Sequence, residues 1–246
     1  MSTSPVRAAD AAAERIKDEF TAMISHELRT PLCAAKEAVD LLADGMAGTV
    51  DPKQAPFLEL ASRNIARLSG IIDNVLDFGV LQRGQLSMNP ERLLLGPFLE
   101  SFLATHTPAG SHLALVVDVD PTVPQIAFDP IRLRQVLINV LDNALRHTQT
   151  GEIRFTARAR SPGVSLIVSD TGCGIAEDDL ERIFTPFYQV STGTGRRVGG
   201  CGLGLALCKG LVELQGGRMW AESKLSHGTS IHLLLSSADE TPRSPR

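Results

Sequence analysis

Residues 25–32 read Ser-His-Glu-Leu-Arg-Thr-Pro-Leu and lie within a longer apolar repeat. Around this octapeptide, apolar side chains recur at steps of three or four residues: Ile16, Phe20, Ile24, Leu28, Leu32, Ala35, Val39 and Leu42. That spacing predicts an amphipathic helix with one apolar face, from about Ala8 to Asp44. His26 stands two residues from both Ile24 and Leu28, about 200° of helical rotation from the apolar face. The sequence therefore predicts a solvent-facing imidazole on this helix.

Three neighbours of His26 indicate a chemical role for this histidine. Glu27 is adjacent, and Thr30 lies one helical turn away on the same exposed face. Pro31 removes one helical hydrogen bond and tends to bend the helix locally. A lone histidine on a helix is usually a surface residue, but this one has a carboxylate and a hydroxyl within reach. We take His26, Glu27 and Thr30 as candidate catalytic residues.

A second amphipathic helix is predicted after a turn-rich segment at residues 44–52, and it ends near Gln82. Its apolar side chains fall in near-heptad spacing, at Phe57, Leu60, Leu68, Ile71, Val75 and Phe78. Asn64 takes one polar position in that series, a device that often fixes helix register. A hairpin of two such helices cannot bury both apolar faces by itself. Pairing with a second copy gives a four-helix bundle, so the sequence predicts a homodimer.

Composition excludes several classes of function. The 246 residues suffice for one or two domains, and the net charge of −4 offers no electrostatic footprint for nucleic acid or an anionic membrane. No uncharged apolar run approaches the ~18–20 residues that span a bilayer. The first ten residues lack the apolar core of a signal peptide. We expect a cytoplasmic protein, or the cytoplasmic portion of a larger protein.

The four cysteines form no CxxC pair and have no histidine at metal-binding spacing; they are Cys33, Cys173, Cys201 and Cys208. In a reducing compartment disulfides are not expected. We interpret these side chains as small hydrophobic or pocket-lining residues.

Beyond residue 84 the pattern changes to interspersed strands and helices. Strands are predicted at Leu113–Val119, Glu152–Arg160, Val164–Asp170, Gly217–Ser223 and Thr229–Leu235, and helices at Pro97–His106, Pro130–His147 and Leu203–Gln215. This order predicts an α+β sandwich, a mixed sheet with helices on one face. The predicted domains are residues 1–84 and 85–237, followed by a polar, flexible tail at residues 238–246.

Two polar clusters of the second domain have the chemistry of a nucleotide site. Asn139 and Asn143 share one helix face, and an amide oxygen suits a Mg²⁺ ion that already bears phosphate charge. Arg146 and His147 extend this cluster toward phosphate. The run Asp170-Thr171-Gly172-Cys173-Gly174-Ile175 ends an apolar strand, where the carboxylate can accept a hydrogen bond from an exocyclic amine. Taken singly, surface asparagines and a turn after a strand explain these clusters equally well.

Two glycine-bearing segments complete the set. Gly200-Cys201-Gly202-Leu203-Gly204-Leu205 opens a predicted helix, whose free N–H groups and positive dipole end suit phosphate. Its spacing matches neither the Rossmann fingerprint nor the P-loop. Gly228-Thr229 begins the last strand, where the Thr229 hydroxyl can reach a base through water.

These features together resemble the sensor histidine kinases. The octapeptide matches their phosphoacceptor box at every position. The later clusters match, in order, the N, G1, F and G2 boxes and the terminal GT of the Bergerat-type ATP-binding fold, shared with type II topoisomerases and certain chaperones. The F box is Phe184-Thr185-Pro186-Phe187-Tyr188. The resemblance covers about residues 12 to 235.

The resemblance implies a dimeric four-helix bundle that carries the phosphoacceptor His26, followed by an ATP-binding domain. It implies that Asn143 ligates Mg²⁺ and that Asp170 reads the adenine amine. The other expected ATP-site residues are Asn139, Arg146, His147, Gly172, Gly174, Ile175, Gly200, Gly202, Leu203, Gly204 and Thr229. It further implies a response regulator as partner, phosphorylated on an aspartate, and a role for Thr30 in removing that phosphate.

The sequence departs mildly from the family pattern. Cys201 replaces the usual threonine between the glycines, and Arg146-His147 stands where lysine and tyrosine are common. The lid between Tyr188 and Gly199 is short. Two alternatives stay open: a non-catalytic dimeric scaffold that binds a regulator, and an ATP-driven clamp or serine kinase on the same ATP fold. The stimulus, the cognate regulator and the choice of cis or trans transfer are not readable from this sequence.

Overall fold

The structure is a computed structural model that describes residue 28 and residues 30–106, 112–190 and 201–239. The contacts divide the chain into two units, Met1–Leu86 and Ser87–Arg246, and each is described by itself. The predicted site residues His26, Glu27 and Gly200 lie outside the described residues.

The N-terminal unit is helical in its described part. Helix α1 covers residues 30–43, and helix α2, Ala55–Gln82, follows a turn segment, as the sequence predicts. Pro56 stands in the first turn of α2, a position where its missing N–H costs nothing. The hydroxyl of Ser62 on α2 donates to Asp40 of α1 at 3.4 Å. Ile72 is the buried residue of α2, so the predicted apolar face remains partly or fully exposed in the described structure.

The C-terminal unit contains seven strands, three α-helices and two short 3₁₀ helices within its described residues. The strands are β1 (Glu91–Leu93), β2 (Ala114–Val119), β3 (Ile126–Phe128), β4 (Glu152–Arg160), β5 (Gly163–Asp170), β6 (Arg218–Ser223) and β7 (Thr229–Ser236). The helices are α3 (Leu95–His106), α4 (Pro130–His147) and α5 (Gly204–Leu214). The main sheet has the order β2-β4-β5-β7-β6. In it β2 pairs parallel with β4, and every other pair is antiparallel.

Side-chain alternation explains how the helices cover one face of this sheet. Along β4, Ile153, Phe155 and Ala157 are fully buried, whereas the intervening side chains are partly exposed. Phe102 of α3 meets Phe155 edge to face at 6.3 Å between ring centroids. Helix α4 buries six side chains against the same core: Leu133, Val136, Leu137, Val140, Leu141 and Ala144. The predicted α+β sandwich with a mixed sheet is confirmed.

The sequence pattern missed one small sheet. Strands β1 and β3 form an antiparallel pair of three residues each, too short to show a readable alternation. The C-terminal segment extends this sheet, since Ser237 bridges to Ile126 and the backbone N–H of Ala238 donates to the carbonyl of Gln125 at 2.8 Å. The chain is therefore still paired at the point where the sequence predicts a tail.

A buried carboxylate fixes the start of α4, the helix that carries the asparagines. The Asp129 side chain accepts hydrogen bonds from the backbone N–H groups of Ile131 and Arg132, which caps the helix. Its other oxygen accepts from the N–H of Asn89 at 2.9 Å, and its own N–H donates to Gln215 at 2.7 Å. These bonds tie α4 to the segment before β1 and to the end of α5.

Candidate functional site

Asp170 stands at the C-terminal end of β5, where the strand leaves the sheet. Its Oδ1 accepts hydrogen bonds from the backbone N–H of Gly172 at 2.8 Å and of Thr229 at 3.3 Å. Burial raises the pKa of the Asp170 carboxyl, while these two N–H groups and His147 oppose the rise. Since both bonds go to Oδ1, the second oxygen, Oδ2, is left to accept from a ligand.

The turn after Asp170 brings the end of α4 against the carboxylate. The N–H of Cys173 donates to the carbonyl of His147 at 3.2 Å. A Cβ on Gly172 would lie 2.7 Å from Asp170 Oδ1 and closer still to that carbonyl, so only glycine fits here without displacing α4. Farther along the turn, Gly174 is followed by Ile175, whose N–H donates to Ser223 at 2.8 Å. The structure thus brings Gly172, Gly174 and Ile175 together beside Asp170.

The two asparagines lie one turn apart on α4, and both are half-buried. Asn139 faces α5: its side-chain N–H donates to the carbonyl of Gln135, its Oδ1 lies beside Gly204, and it hydrogen-bonds the Cys208 thiol. No hydrogen-bond partner of the Asn143 amide is found among the described residues. Asn139 therefore joins two helices, whereas Asn143 is the amide that can serve a ligand.

Arg146 and His147 end α4, and both side chains are exposed. Desolvation of the imidazole, together with the positive charge of Arg146, lowers the pKa of His147. Its ring is therefore neutral at pH 7, and Arg146 supplies the positive charge at this end of the helix.

The glycine-rich loop reaches α5 through a close backbone crossing. Gly202 has a φ of +70°, and a Cβ there would lie 2.7 Å from backbone atoms of Phe187 and Tyr188. The N–H of Phe187 donates to the carbonyl of Gly202 at 2.9 Å. Leu203 is buried and anchors the loop, and Gly204 begins the helix. The backbone just before α5 thus packs against the segment that resembles the F box.

Thr229 is tied to Asp170 by its backbone, a contact that the sequence does not reveal. Its hydroxyl lies 2.9 Å from the hydroxyl of Ser223, which donates to the carbonyl of Gly228 at 2.7 Å and accepts from Ile175. Ser223 was missed by the sequence reasoning, because a serine at the end of a strand carries no signal of its own. It connects the turn after β5 to the hairpin before β7.

In the N-terminal unit, the predicted phosphoacceptor segment is described only in part. Thr30 and Pro31 begin the described stretch of α1, and both are exposed. The exposure of Thr30 agrees with its predicted place on the polar face.

Two family models match the chain. Residues 16–84 match the His Kinase A (phospho-acceptor) domain, and residues 128–239 match the histidine kinase-, DNA gyrase B- and HSP90-like ATPase. The chain belongs to the sensor histidine kinases of two-component systems. The octapeptide thus falls in the phosphoacceptor domain of this kinase family, and Asp170, Asn143 and the glycine loop fall in its ATPase domain.

Relatives and a solved structure agree with this membership. The alginate biosynthesis sensor protein KinB of Pseudomonas aeruginosa is 33% identical over 90% of this chain and 37% of its own length. The sensor histidine kinase RcsC of Escherichia coli K12 is 36% identical over 89% of the chain and 23% of its own length. Full-length ShkA, solved in complex with AMPPNP, is similar with a TM-score of 0.71 and 27% identity, over 92% of this chain and 47% of that one. The chain therefore spans about a quarter to a half of these longer proteins.

None of the helices formed by the described residues is both long enough and apolar enough to cross a bilayer. Nor do the described residues bring three His, Cys, Asp or Glu side chains together as metal ligands.

Proposed function

We propose that this chain is the catalytic core of an ATP-dependent protein-histidine kinase that phosphorylates its own His26. The observation that carries the proposal is the half-buried carboxylate of Asp170, which two backbone N–H groups hold in place. It lies at the end of β5, beside the asparagine helix and next to the hairpin that begins β7. The same chain holds an intact SHELRTPL run, which a clamp or a serine kinase does not need.

Each part of the C-terminal site has a role in binding ATP. The Asp170 carboxylate accepts a hydrogen bond from the adenine 6-amino group, while Gly172, Gly174 and Ile175 shape the turn against the ring. Gly200, Gly202, Leu203 and Gly204 present the N-terminus of α5 to the phosphates. Arg146 and His147 approach the phosphates from α4, and Thr229 holds Asp170. Asn139 keeps α4 against the start of α5.

Asn143 is the residue that would hold Mg²⁺, because its amide oxygen is a hard, neutral ligand at a half-buried position. A Mg²⁺ ion held there would neutralise charge on the transferring phosphoryl group. Asn143 is the one ligand that we assign to the protein, so the remaining ligands would come from ATP and water, as is usual for Mg²⁺ in nucleotide sites.

The transfer step uses the neutral imidazole of His26. A bond forms between Nε2 and the γ-phosphorus while the bond from that phosphorus to the β,γ-bridging oxygen breaks, and ADP leaves. Glu27 accepts the hydrogen bond of Nδ1–H, which keeps Nε2 unprotonated before attack and stabilises the positive charge on the ring afterwards. The phosphoryl group then passes to an aspartate on a response regulator.

Two further properties belong to this proposal. The exposed apolar side chains of α2, such as Phe57, Leu60 and Leu68, support a homodimer in which a second copy covers them. Thr30, exposed one turn from His26, positions a water that hydrolyses the phosphoaspartate of the regulator. The kinase would then also act as a phosphatase.

Labelling with γ-³²P ATP tests the kinase proposal. The full chain should acquire an acid-labile label, and His26→Gln should abolish it while leaving ATP affinity unchanged, because the nucleophile and the nucleotide site lie in different units. Acid-stable label would instead indicate a serine kinase. An absence of label, despite ATP binding by the wild-type chain, would indicate a scaffold or a clamp.

A further inference from the structure

Thr148 is a buried hydroxyl without a partner in the described part of the chain. It follows α4 directly and caps it, with its N–H donating to the carbonyl of Ala144 at 3.0 Å. The residue is 4% exposed, yet its Oγ1 makes no hydrogen bond to any described atom. A buried hydroxyl without a partner is costly, so such an atom indicates a place where a hydrogen bond is completed by another component.

The end of α4, where Thr148 stands, abuts the carboxylate of Asp170, because a Cβ on Gly172 would clash with both the carbonyl oxygen of His147 and Oδ1 of Asp170. Burial raises the pKa of the Asp170 carboxyl, and the Thr148 side chain is among the groups that oppose this rise. The end of α4 is held there by the bond from Cys173 to His147. Thr148 therefore lies beside this carboxylate, at the end of α4.

The number of hydroxyl protons distinguishes the roles of Thr148 and Thr229 beside the Asp170 carboxylate. Ser223 donates its single proton to the carbonyl of Gly228, so in the contact between the two hydroxyls Thr229 must be the donor. The hydroxyl proton of Thr229 is thereby used, and Thr229 serves Asp170 through its N–H alone. Thr148 retains a hydroxyl proton that no described acceptor takes.

We propose that Thr148 is a positioning residue for base recognition, whose hydroxyl donates to the Asp170 carboxylate when an adenine nucleotide is bound. Oδ1 already accepts two N–H groups, so Thr148 and the adenine 6-amino group share Oδ2, which has two lone pairs. The inference rests on the proposed ATP site and adds a second residue to the recognition of the base.

This arrangement makes the site selective against a 6-oxo purine. Inosine triphosphate differs from ATP in presenting a carbonyl oxygen where ATP has an amine, so it directs a lone pair at the carboxylate. With Thr148 holding Asp170 in place, the carboxylate cannot turn away to accommodate that oxygen. Loss of the hydroxyl should therefore weaken ATP more than inosine triphosphate.

The test compares magnesium complexes of ATP and inosine triphosphate by calorimetric titration of the full chain. Thr148→Val removes the hydroxyl at nearly constant volume, and we expect ATP affinity to fall about 10-fold while affinity for inosine triphosphate stays within about 2-fold. Thr148→Ser keeps the hydroxyl and should retain the wild-type ratio. Thr156→Val, at a half-buried position on the other face of the sheet, is the matched control and should change neither affinity.

Two outcomes overturn the inference while leaving the ATP site in place. One is an unchanged ratio of the two affinities in Thr148→Val. The other is an equal loss for both nucleotides, which would show a packing role. Thr148→Ala provides the same test if the valine variant does not fold. If the wild-type chain binds neither nucleotide and Asp170→Asn behaves like wild type, the proposed ATP site itself fails, and this inference fails with it.

Discussion

Helices α2 and α4 are both amphipathic, yet this chain buries the apolar face of α4 and leaves much of the apolar face of α2 exposed. Of the 28 residues of α2 one is buried, Ile72, whereas α4 buries six of its 18. The apolar face of α4 lies against α5 and the sheet, while on α2 Phe57 and Leu68 remain exposed. The C-terminal unit thus supplies its own core, whereas the helical unit exposes apolar surface that the second copy in our proposed homodimer would cover. An amphipathic pattern predicts which face will be covered but not what covers it.

The same substitution in the two helices gives the largest expected effect. Leu137 of α4 is 0% exposed, and Leu68 of α2 is 47% exposed. Leu137→Ala should lower the free energy of unfolding of the C-terminal unit by about 2–5 kcal/mol, because it leaves a cavity in a closed core. Leu68→Ala should leave that free energy within about 0.5 kcal/mol and weaken dimerisation instead.

One fluorophore separates these outcomes. Trp220 on β6 is the single tryptophan of the chain, so its fluorescence during urea unfolding reports on the C-terminal unit. Sedimentation equilibrium measures the dimer. A large loss of C-terminal stability in Leu68→Ala, or an unchanged monomer–dimer equilibrium, would contradict the proposed difference between the helices.

The elements that could be predicted from the sequence are those in which one face is apolar over many residues. Long periodic segments such as α4 and β4 were predicted with their observed bounds, since burial on one face imposes a readable period. Strands β1 and β3 were missed because three residues cannot display one. At the site, Asp170 and the glycines were predicted from their order along the chain. Ser223 was not, because its role depends on hydrogen bonds between segments distant in sequence.

Thr30→Ala addresses the exposed chemistry of the helical unit. Autophosphorylation should stay within a few-fold of wild type, because Thr30 lies a turn away from the attacking nitrogen. Dephosphorylation of the regulator should slow by about 100-fold if the hydroxyl positions the attacking water. Alanine has the higher helix propensity, so α1 should tolerate the change.

The two activities of the Thr30 variant are measured by γ-labelled ATP and by release of phosphate from a phosphorylated regulator. Thr49→Ala, an exposed position in the turn after α1, is the matched control. If both activities fell together, Thr30 would have a structural role near Pro31.

Asp170→Asn tests whether the ionised carboxylate of the nucleotide site lowers the stability of the C-terminal unit. Asparagine keeps an oxygen for the N–H groups of Gly172 and Thr229, but its other group is an amide NH₂, which cannot accept from the adenine 6-amino group. The free energy of ATP binding should therefore become less favourable by about 1–3 kcal/mol. Burial raises the pKa of Asp170, so its ionised form destabilises the fold above that pKa. The unliganded variant should therefore be at least as stable as wild type at pH 7.

The pH dependence of this stability difference provides an internal control. The stability difference between variant and wild type should shrink as the pH falls through the raised pKa, because wild-type Asp170 then becomes neutral as well. Calorimetric titration gives the affinity, and urea unfolding followed by Trp220 gives the stability. Unchanged ATP affinity would remove Asp170 from the site, and a marked loss of stability at pH 7 would make it a structural residue.

The smallest expected effect is a change in the rate of cysteine alkylation, which can be followed in both units because each contains at least one cysteine. Cys173 is exposed in the turn after Asp170, and Cys201 is partly exposed before α5, whereas Cys33 is exposed on α1. Bound ATP should slow alkylation of Cys173 and Cys201 a few-fold and leave Cys33 unaffected, because the nucleotide covers only the C-terminal site. Cys208 should stay unmodified, since complete burial raises the pKa of its thiol to about 12. Mass spectrometry of peptides after brief iodoacetamide treatment, with and without ATP, measures all four at once. Equal protection of Cys33 would show that the nucleotide also shields the helical unit, and the separation of the two sites would then have to be revised.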